Sequence, residues 1–187
     1  MLTIKPYKFW FITGSQHLYG DDAIKEVVNN SREVVKGLNE LGQLPFEIEF
    51  KEVLTTANDI HDFMAKANND ENCAGVITWM HTFSPAKMWI AGLKALQKPL
   101  MHLHTQYNRD IPWDSIDMDF MNLNQAAHGD REYGFIGTRM DVARKVIVGH
   151  WKDKSVTTKI ANWMKTAVAV TEGRNIRVAR YFYRGGK

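Results

Sequence analysis

The chain has 187 residues and is 44% hydrophobic and 24% charged, which is ordinary for a globular protein of one domain. It contains no run of about 18 apolar residues, which excludes a membrane-spanning helix. The single cysteine, Cys73, excludes an internal disulfide. Because residues 1–6 lack the apolar segment and the cleavage site of a secretory signal, we expect a cytoplasmic protein.

The formal net charge of +3 is unevenly distributed along the chain. Residues 1–138 carry 12 basic and 18 acidic side chains, whereas residues 139–187 carry 12 basic and 3 acidic ones. A basic segment can bind nucleic acid, but the aromatic side chains expected of a base-stacking platform are missing. We therefore expect no nucleic-acid partner. The basic segment is interpreted as a solvated helix face or as a surface that meets an acidic neighbouring subunit.

The first part of the chain alternates between apolar strands and amphipathic helices. Residues 9–13 form a short apolar run that ends at Gly14, which predicts a strand buried on both faces. Asp21 and Asp22 favour a helix start, and Gly42 favours its end. In chain order, the patterns predict a strand at 9–13, a helix at 21–41, a strand at 46–50, a helix at 55–67, a strand at 74–80, a helix at 85–96 and a strand at 99–103.

The second part begins with an irregular stretch over residues 105–115 that contains Pro112. Loops of this length in a compact domain are usually functional segments or interfaces. Beyond it, the patterns predict helices at 117–127, 130–150 and 153–170 and a last strand at 175–181. His128 is placed in a tight turn between the first two of these helices. The alternation predicts a single-domain α/β fold, a three-layer Rossmann-like (flavodoxin-like) doubly wound parallel sheet rather than a barrel.

Polar side chains follow the predicted strands, and ligands bind at the carboxyl ends of the strands in such folds. These side chains are Gln16, His17, His81, His102, His104 and, near a helix start, His128. Several histidines at one edge suggest a metal site or acid–base chemistry, although a histidine taken alone is more often a hydrogen-bonded structural group. The pair His102 and His104 lies on one face of a strand, but no matching carboxylate pair follows it. Neither GxxxxGK[ST] nor GxGxxG is present, which excludes nucleotide binding through those motifs.

Four longer stretches resemble a known family. They are FWFITGSQHLYG (9–20), TWMHTFSPAKMW (78–89), LHTQYNRDIPW (103–113) and DFMNLNQAAHGDREYGF (119–135). In order and in their rare residues they closely resemble the N-terminal domain of bacterial L-arabinose isomerase, over about residues 5–180. The resemblance implies a Rossmann-like domain of residues 1–180, followed by a tail at 181–187 that departs from the family pattern.

The resemblance also implies an activity. Members of this family are Mn²⁺-dependent aldose–ketose isomerases that convert L-arabinose to L-ribulose, and D-galactose to D-tagatose, by an ene-diol route. They are homo-oligomers in which this domain covers the active site of a neighbouring subunit. The positions that contact the sugar correspond to Gln16, Leu18, Phe83, Gln125 and His128. Amides and an imidazole can bind sugar hydroxyls, while Leu18 and Phe83 can cover the apolar C–H face.

The resemblance leaves three hypotheses open, because the family's metal ligands and proton-transfer residues lie in later domains. In the first, the chain is a short isomerase that is active alone, with His128 and Glu132 as catalytic candidates. Its metal site would come from His81, His102, His104 and His128, with Asp130 or Glu132 as carboxylates. In the second, the chain is a non-catalytic domain that binds sugar or assembles with partners. In the third, it binds a nucleotide as flavodoxin does.

Overall fold

The computed structural model describes residues 5–184, and the side chains of residues 5–173. Within this range, five strands form one parallel sheet in the order β2-β1-β3-β4-β5. The strands are β1 (Lys8–Gly14), β2 (Glu47–Leu54), β3 (Cys73–Met80), β4 (Leu100–His104) and β5 (Lys145–Val148). The predicted three-layer, flavodoxin-like α/β fold is therefore confirmed.

Helices cover both faces of this sheet. They are α1 (Gly20–Glu40), α2 (Ala57–Asn69), α3 (Ile90–Ala95), α4 (Met118–Leu123), α5 (Ala126–Arg139) and α6 (Lys154–Arg184). Two short 3-10 segments, His17–Tyr19 and Ala86–Trp89, lead into α1 and α3. The hydroxyl of Thr56 accepts a hydrogen bond from the backbone N–H of Asp59 and so caps α2, as expected for a threonine before a helix.

The buried apolar side chains form two clusters, one on each side of the sheet. The first joins Phe9, Phe11 and Trp79 to apolar residues of α1 and α6. The second joins strand residues such as Ile12 and Met80 to α2, α3 and α5. Every residue of β3 is buried, because helices pack on both of its faces. The sheet therefore separates two apolar environments.

The predicted helix at 130–150 is wrong, since the chain leaves α5 at Arg139 and forms β5 over Lys145–Val148. Asp141 adopts a φ of 52°, which ends the helical path. The guanidinium of Arg144 then donates to the carbonyl of Gly134 over 2.8 Å and so caps the end of α5. The β-branched run at 146–148 pairs with β4 instead of continuing the helix.

Three further corrections concern helix boundaries. The predicted helix at 117–127 is interrupted at Asn124, which separates α4 from α5. His128 consequently lies in the first turn of α5 and not in a turn between helices. The strand predicted at 175–181 is helical, because α6 extends through Arg184 and residues 154–184 contain no proline to end it. Residues 185–187 of the predicted tail lie outside the described residues.

No helix in the described part of the chain is both long and apolar enough to cross a bilayer. Residues 105–117, between β4 and α4, are irregular, which confirms the irregular stretch predicted over 105–115. The start of this loop is fixed: Trp151 donates from its indole Nε1 to the carbonyl of Tyr107 over 3.1 Å, and the hydroxyl of Tyr107 donates to Glu33 over 2.6 Å. The loop thus closes one side of the carboxyl edge of the sheet.

Candidate functional site

The histidines at the carboxyl edge of the sheet belong to two separate environments. His81 follows β3 on the face covered by α1, where its ring stacks on Trp79 with the ring centroids 4.4 Å apart. His102 lies in β4 on the opposite face, with its ring edge-on to Tyr133 of α5. The sheet therefore does not bring the predicted histidines together at one point.

His81 is a structural residue that no ligand can reach from solvent. It is fully buried, and its Nε2 lies 2.9 Å from the side-chain amide nitrogen of Asn30 in α1. Because that amide nitrogen can only donate, Nε2 of His81 is the acceptor. Burial lowers the pKa of His81 from 6.5 to about 4, so the ring stays neutral near neutral pH.

His102, His104 and Asp130 form a group on the α5 side. Asp130 is buried, and its Oδ1 lies 2.7 Å from Nε2 of His102 and accepts from the backbone N–H of Met80 over 3.3 Å. Its Oδ2 lies 3.8 Å from Nε2 of His104. Burial raises the pKa of Asp130 and, together with the charge of Arg144, lowers the pKa of His102 to about 4. Both shifts favour the uncharged forms of this buried pair.

The described residues do not fit Mn²⁺. Among them, no three histidine, cysteine or acidic side chains are arranged to hold a metal ion. Asp130 is engaged by His102 and Met80, and His81 lies on the other face of the sheet. A metal site needs several free donors directed at one point. The candidate ligands His81, His102 and His104 do not provide such a point.

Phe83 and His128 lie against each other at the carboxyl edge. Their ring centroids are 4.6 Å apart with an interplanar angle of 31°. Gly129 makes this contact possible, since a Cβ atom there would lie 2.8 Å from the carbonyl oxygen of Thr82 and 3.5 Å from Cα of Phe83. His128 is exposed and Phe83 is half-buried, so the pair offers an imidazole and an aromatic face to a ligand.

Gln16 and Leu18 lie on the loop after β1. Ser15 and Thr82, which precede Gln16 and Phe83, are joined by a buried hydrogen bond of 2.7 Å between their hydroxyls. This bond ties the loops after β1 and β3 together at the point where the strand order reverses, the usual ligand crevice of such sheets. Leu18 is 83% exposed, which is unusual for a leucine.

The side chains of Gln125 and Glu132 differ in the hydrogen bonds that hold them. The side-chain amide of Gln125 is half-buried at the start of α5 and donates to Asn122 over 3.3 Å. Glu132 accepts a hydrogen bond of 3.2 Å from the backbone N–H of Ala86 and so supports the 3-10 segment before α3. As a general base, Glu132 would have to give up this bond, whereas His128 has no side-chain hydrogen bond in the described structure.

A groove lies between the carboxyl ends of β4 and β5 and the helices α4 and α5. Its volume is about 720 Å³, which is in the range of small-molecule sites. We call it the α5 groove; its polar lining includes His104, Arg109, Gln125, His128 and His150. Gln125 and His128 therefore belong both to the predicted sugar-contacting set and to this groove.

The comparisons with known proteins identify the family. Residues 3–175 match the family described as the L-arabinose isomerase N-terminal domain. The chain belongs to the L-arabinose isomerase family. It is 64% identical over 181 residues to the L-arabinose isomerase of Geobacillus thermodenitrificans and 65% identical to that of Geobacillus stearothermophilus. Each alignment covers 97% of this chain but 36% of the relative, so the chain spans about a third of the length of these L-arabinose isomerases.

The sequence analysis did not predict two features of this domain. The sequence does not predict the buried pairing of Asp130 with His102, because a strand residue and a helix residue 28 positions apart have no fixed spacing. The Asn30–His81 bond, across 51 positions, was missed for the same reason. The weak signal available for Asp130 was an acidic residue at an otherwise inward-facing position of an amphipathic helix.

Proposed function

We propose that this chain is the sugar-contacting part of an enzyme that converts L-arabinose to L-ribulose. The observation that carries the proposal is the identity of about 64% with L-arabinose isomerases over 97% of the chain. The carboxyl edge supports it, because an aromatic ring, an imidazole and amides lie there without strong internal partners. D-Galactose, which would give D-tagatose, is the second substrate that we propose.

In this proposal, the residues of the rim hold the sugar by two kinds of contact. Gln16, Gln125 and His128 bind hydroxyl groups, since amides and imidazoles can both donate and accept hydrogen bonds. Phe83 and the exposed Leu18 cover the apolar C–H face of the sugar and exclude water from it. His128 is the only one of these five with an imidazole, the side chain that most often transfers protons in enzymes.

We further propose that the chemistry of the isomerase requires the remaining two thirds of such a protein. The described residues offer no metal-binding group, and Glu132 is held by Ala86. Mn²⁺ would supply Lewis-acid polarisation of the sugar carbonyl from ligands outside this chain. The alternative, a domain that only binds sugar or assembles, predicts binding without any role in turnover.

Self-association is part of the proposal. Trp113 is 77% exposed and Met118 is 64% exposed, and both lie near the carboxyl edge on the long loop and α4. Exposed apolar side chains that form a contiguous patch can mark a contact surface. A second copy of the protein is the partner that we propose for this surface.

A chimeric enzyme tests the proposal. Residues 3–175 of this chain would replace the matching residues of the L-arabinose isomerase of Geobacillus stearothermophilus. Ketose formation from L-arabinose and D-galactose would be measured with added Mn²⁺, alongside the 187-residue chain alone. We expect an active chimera and no ketose from the chain alone. His128→Ala and Gln16→Ala should each lower kcat/KM of the chimera by about tenfold or more, as expected for lost hydrogen bonds to the substrate.

The control variant is His61→Ala, whose side chain is 51% exposed on α2. It should leave kcat/KM of the chimera unchanged. Turnover by the 187-residue chain alone would contradict the proposal that the chemistry requires the remaining two thirds of such an enzyme. Full activity of the His128→Ala chimera would contradict the assignment of the sugar-contacting residues.

A further inference from the structure

The α5 groove contains an imidazole that the sugar-contacting set does not include. His104 is the last residue of β4, and its side chain is 28% exposed to the groove that Gln125 and His128 also line. Its ring is stacked on that of His102, with centroids 5.9 Å apart and an interplanar angle of 4°. The ring is therefore held from behind while one edge remains accessible.

Asp130 lies directly behind this ring. Its carboxyl group is completely buried, and Oδ1 is already used by His102 and by the N–H of Met80. The second oxygen, Oδ2, is buried and has no hydrogen-bond partner in the described structure. A buried polar atom without a partner is costly, so Oδ2 favours any donor or acceptor that can approach it.

Nε2 of His104 is 3.8 Å from Oδ2, which is close contact but longer than a hydrogen bond. When the ring moves slightly closer, an ionised Asp130 can accept a hydrogen bond from Nε2–H, and a protonated Asp130 can donate one to a bare Nε2. In both cases Nε2 is turned to the buried carboxyl group and the second ring nitrogen, Nδ1, is left for a ligand. Nδ1 makes no hydrogen bond to any residue of the described range.

We propose that the α5 groove holds a second hydroxyl-binding subsite, in which His104 binds a sugar hydroxyl group and Asp130 acts as its positioning residue. This inference rests on the proposed function, because Gln125 and His128 bring the sugar to the same groove. His104 supplies one directed donor or acceptor, and Asp130 fixes the orientation of the ring before the ligand arrives. The ligand class is an open-chain or cyclic polyol, since the groove combines imidazole and amide groups with apolar side chains that include Ile111 and Phe120. Arg109 also lines the groove, but its guanidinium is paired with Asp153.

The test is a titration of the 187-residue chain with L-arabinose, followed by the NMR shifts of the backbone amides at 125–128. His104→Ala should raise Kd by about three- to tenfold, the effect of one lost hydrogen bond. His104→Gln retains a polar group and should recover part of the affinity. Asp130→Asn keeps an acceptor for His102 and a donor for His104, so its Kd should stay within about twofold of the wild-type value.

Two controls separate this subsite from the proposed function. His61→Ala, on α2, should leave Kd unchanged, and His128→Ala should raise it. If His128→Ala weakens binding and His104→Ala does not, the subsite is overturned and the proposed function stands. If the wild-type chain shows no shift with L-arabinose, the sugar-contacting role fails and the subsite fails with it. Asp130→Ala should weaken binding where Asp130→Asn does not, and a wild-type Kd for Asp130→Ala would contradict the positioning role of Asp130.

Discussion

His81 and His104 occupy comparable places in the sheet and have different surroundings. Both lie at the carboxyl end of a central strand, but His81 faces α1 and His104 faces α5. His81 is fully buried, stacked on Trp79 and bonded to Asn30, whereas His104 has an exposed edge in the α5 groove. The residue type and the strand end alone therefore do not decide whether a histidine can meet a ligand. What decides it is whether the helix on that face covers the ring.

The largest loss of stability should come from removing the carboxyl group of Asp130 on the α5 side of the sheet. Asp130→Ala leaves Nε2 of His102 and the backbone N–H of Met80 without their hydrogen-bond partner in the protein interior. We expect a loss of about 2–4 kcal/mol in the free energy of unfolding, measured by urea denaturation at neutral pH. Asp130→Asn retains the Oδ1 acceptor and should cost less than about 1 kcal/mol. Equal losses for the two variants would show that the hydrogen bonds of Oδ1 are not what stabilises this side.

A fall in pH should destabilise the folded protein because His81, on the α1 side of the sheet, is buried in its neutral form. The pKa of His81 is lowered from 6.5 to about 4 by burial, so the unfolded chain binds a proton between these values while the folded chain does not. The free energy of unfolding contributed by His81 is therefore complete above pH 6.5 and is lost as the pH falls towards 4. Between pH 7 and pH 4.5 the loss should be about 2–3 kcal/mol.

The variant His81→Gln isolates this contribution, because glutamine is polar and does not titrate. Its free energy of unfolding should fall less than that of the wild type between the two pH values, by the same 2–3 kcal/mol, which is about the linkage expected for such a shift. His61→Gln serves as the matched control, since that ring is exposed on α2. The explanation would be refuted if the wild type and His81→Gln lost stability in parallel.

A smaller effect is expected from the glycines of α5. An alanine Cβ at Gly129 would lie 2.8 Å from the backbone oxygen of Thr82, so Gly129→Ala should move α5 and cost about 1–3 kcal/mol. At Gly134 the nearest atom would be Cε1 of His102 at 3.7 Å, an ordinary contact. Gly134→Ala should therefore stabilise the protein by up to about 1 kcal/mol through helix propensity. Thermal unfolding of both variants compares them directly, and a Gly129→Ala variant as stable as Gly134→Ala would contradict the close packing of His128 against Phe83.

Much of the fold could be predicted from the sequence because its signals are local. The apolar runs at 9–13 and 74–80 lie within β1 and β3, and the glycine and proline boundaries of the first three helices are close to the observed ones. The prediction of one helix over residues 130–150 failed because the apolar residues of this segment fit the spacing of a helix as well as that of a strand. The turn at Asp141 and the pairing with β4 decided between the two, and the pairing depends on residues that are distant in the sequence.

The candidate site was predictable only in part, for a related reason. The resemblance supplied Phe83 and His128, and the structure places their rings in contact. Spacing alone suggested a metal site from His81, His102 and His104, but a strand position does not reveal which helix covers it. The partners that decide the roles of these rings, Asn30 and Asp130, are distant in sequence and can be found only in the folded chain.

The most direct test of the account is an NMR titration that observes the histidine side chains. The seven rings of the chain would be followed by their ¹⁵N and carbon-bound proton signals while L-arabinose is added. We expect the signals of His128 and His104 to shift together with one Kd, while those of His81 and His61 stay unchanged. A shift of His81 equal to that of His128, or no response of His128 at saturating sugar, would contradict the assignment of the sugar-binding surface to the α5 side of the sheet.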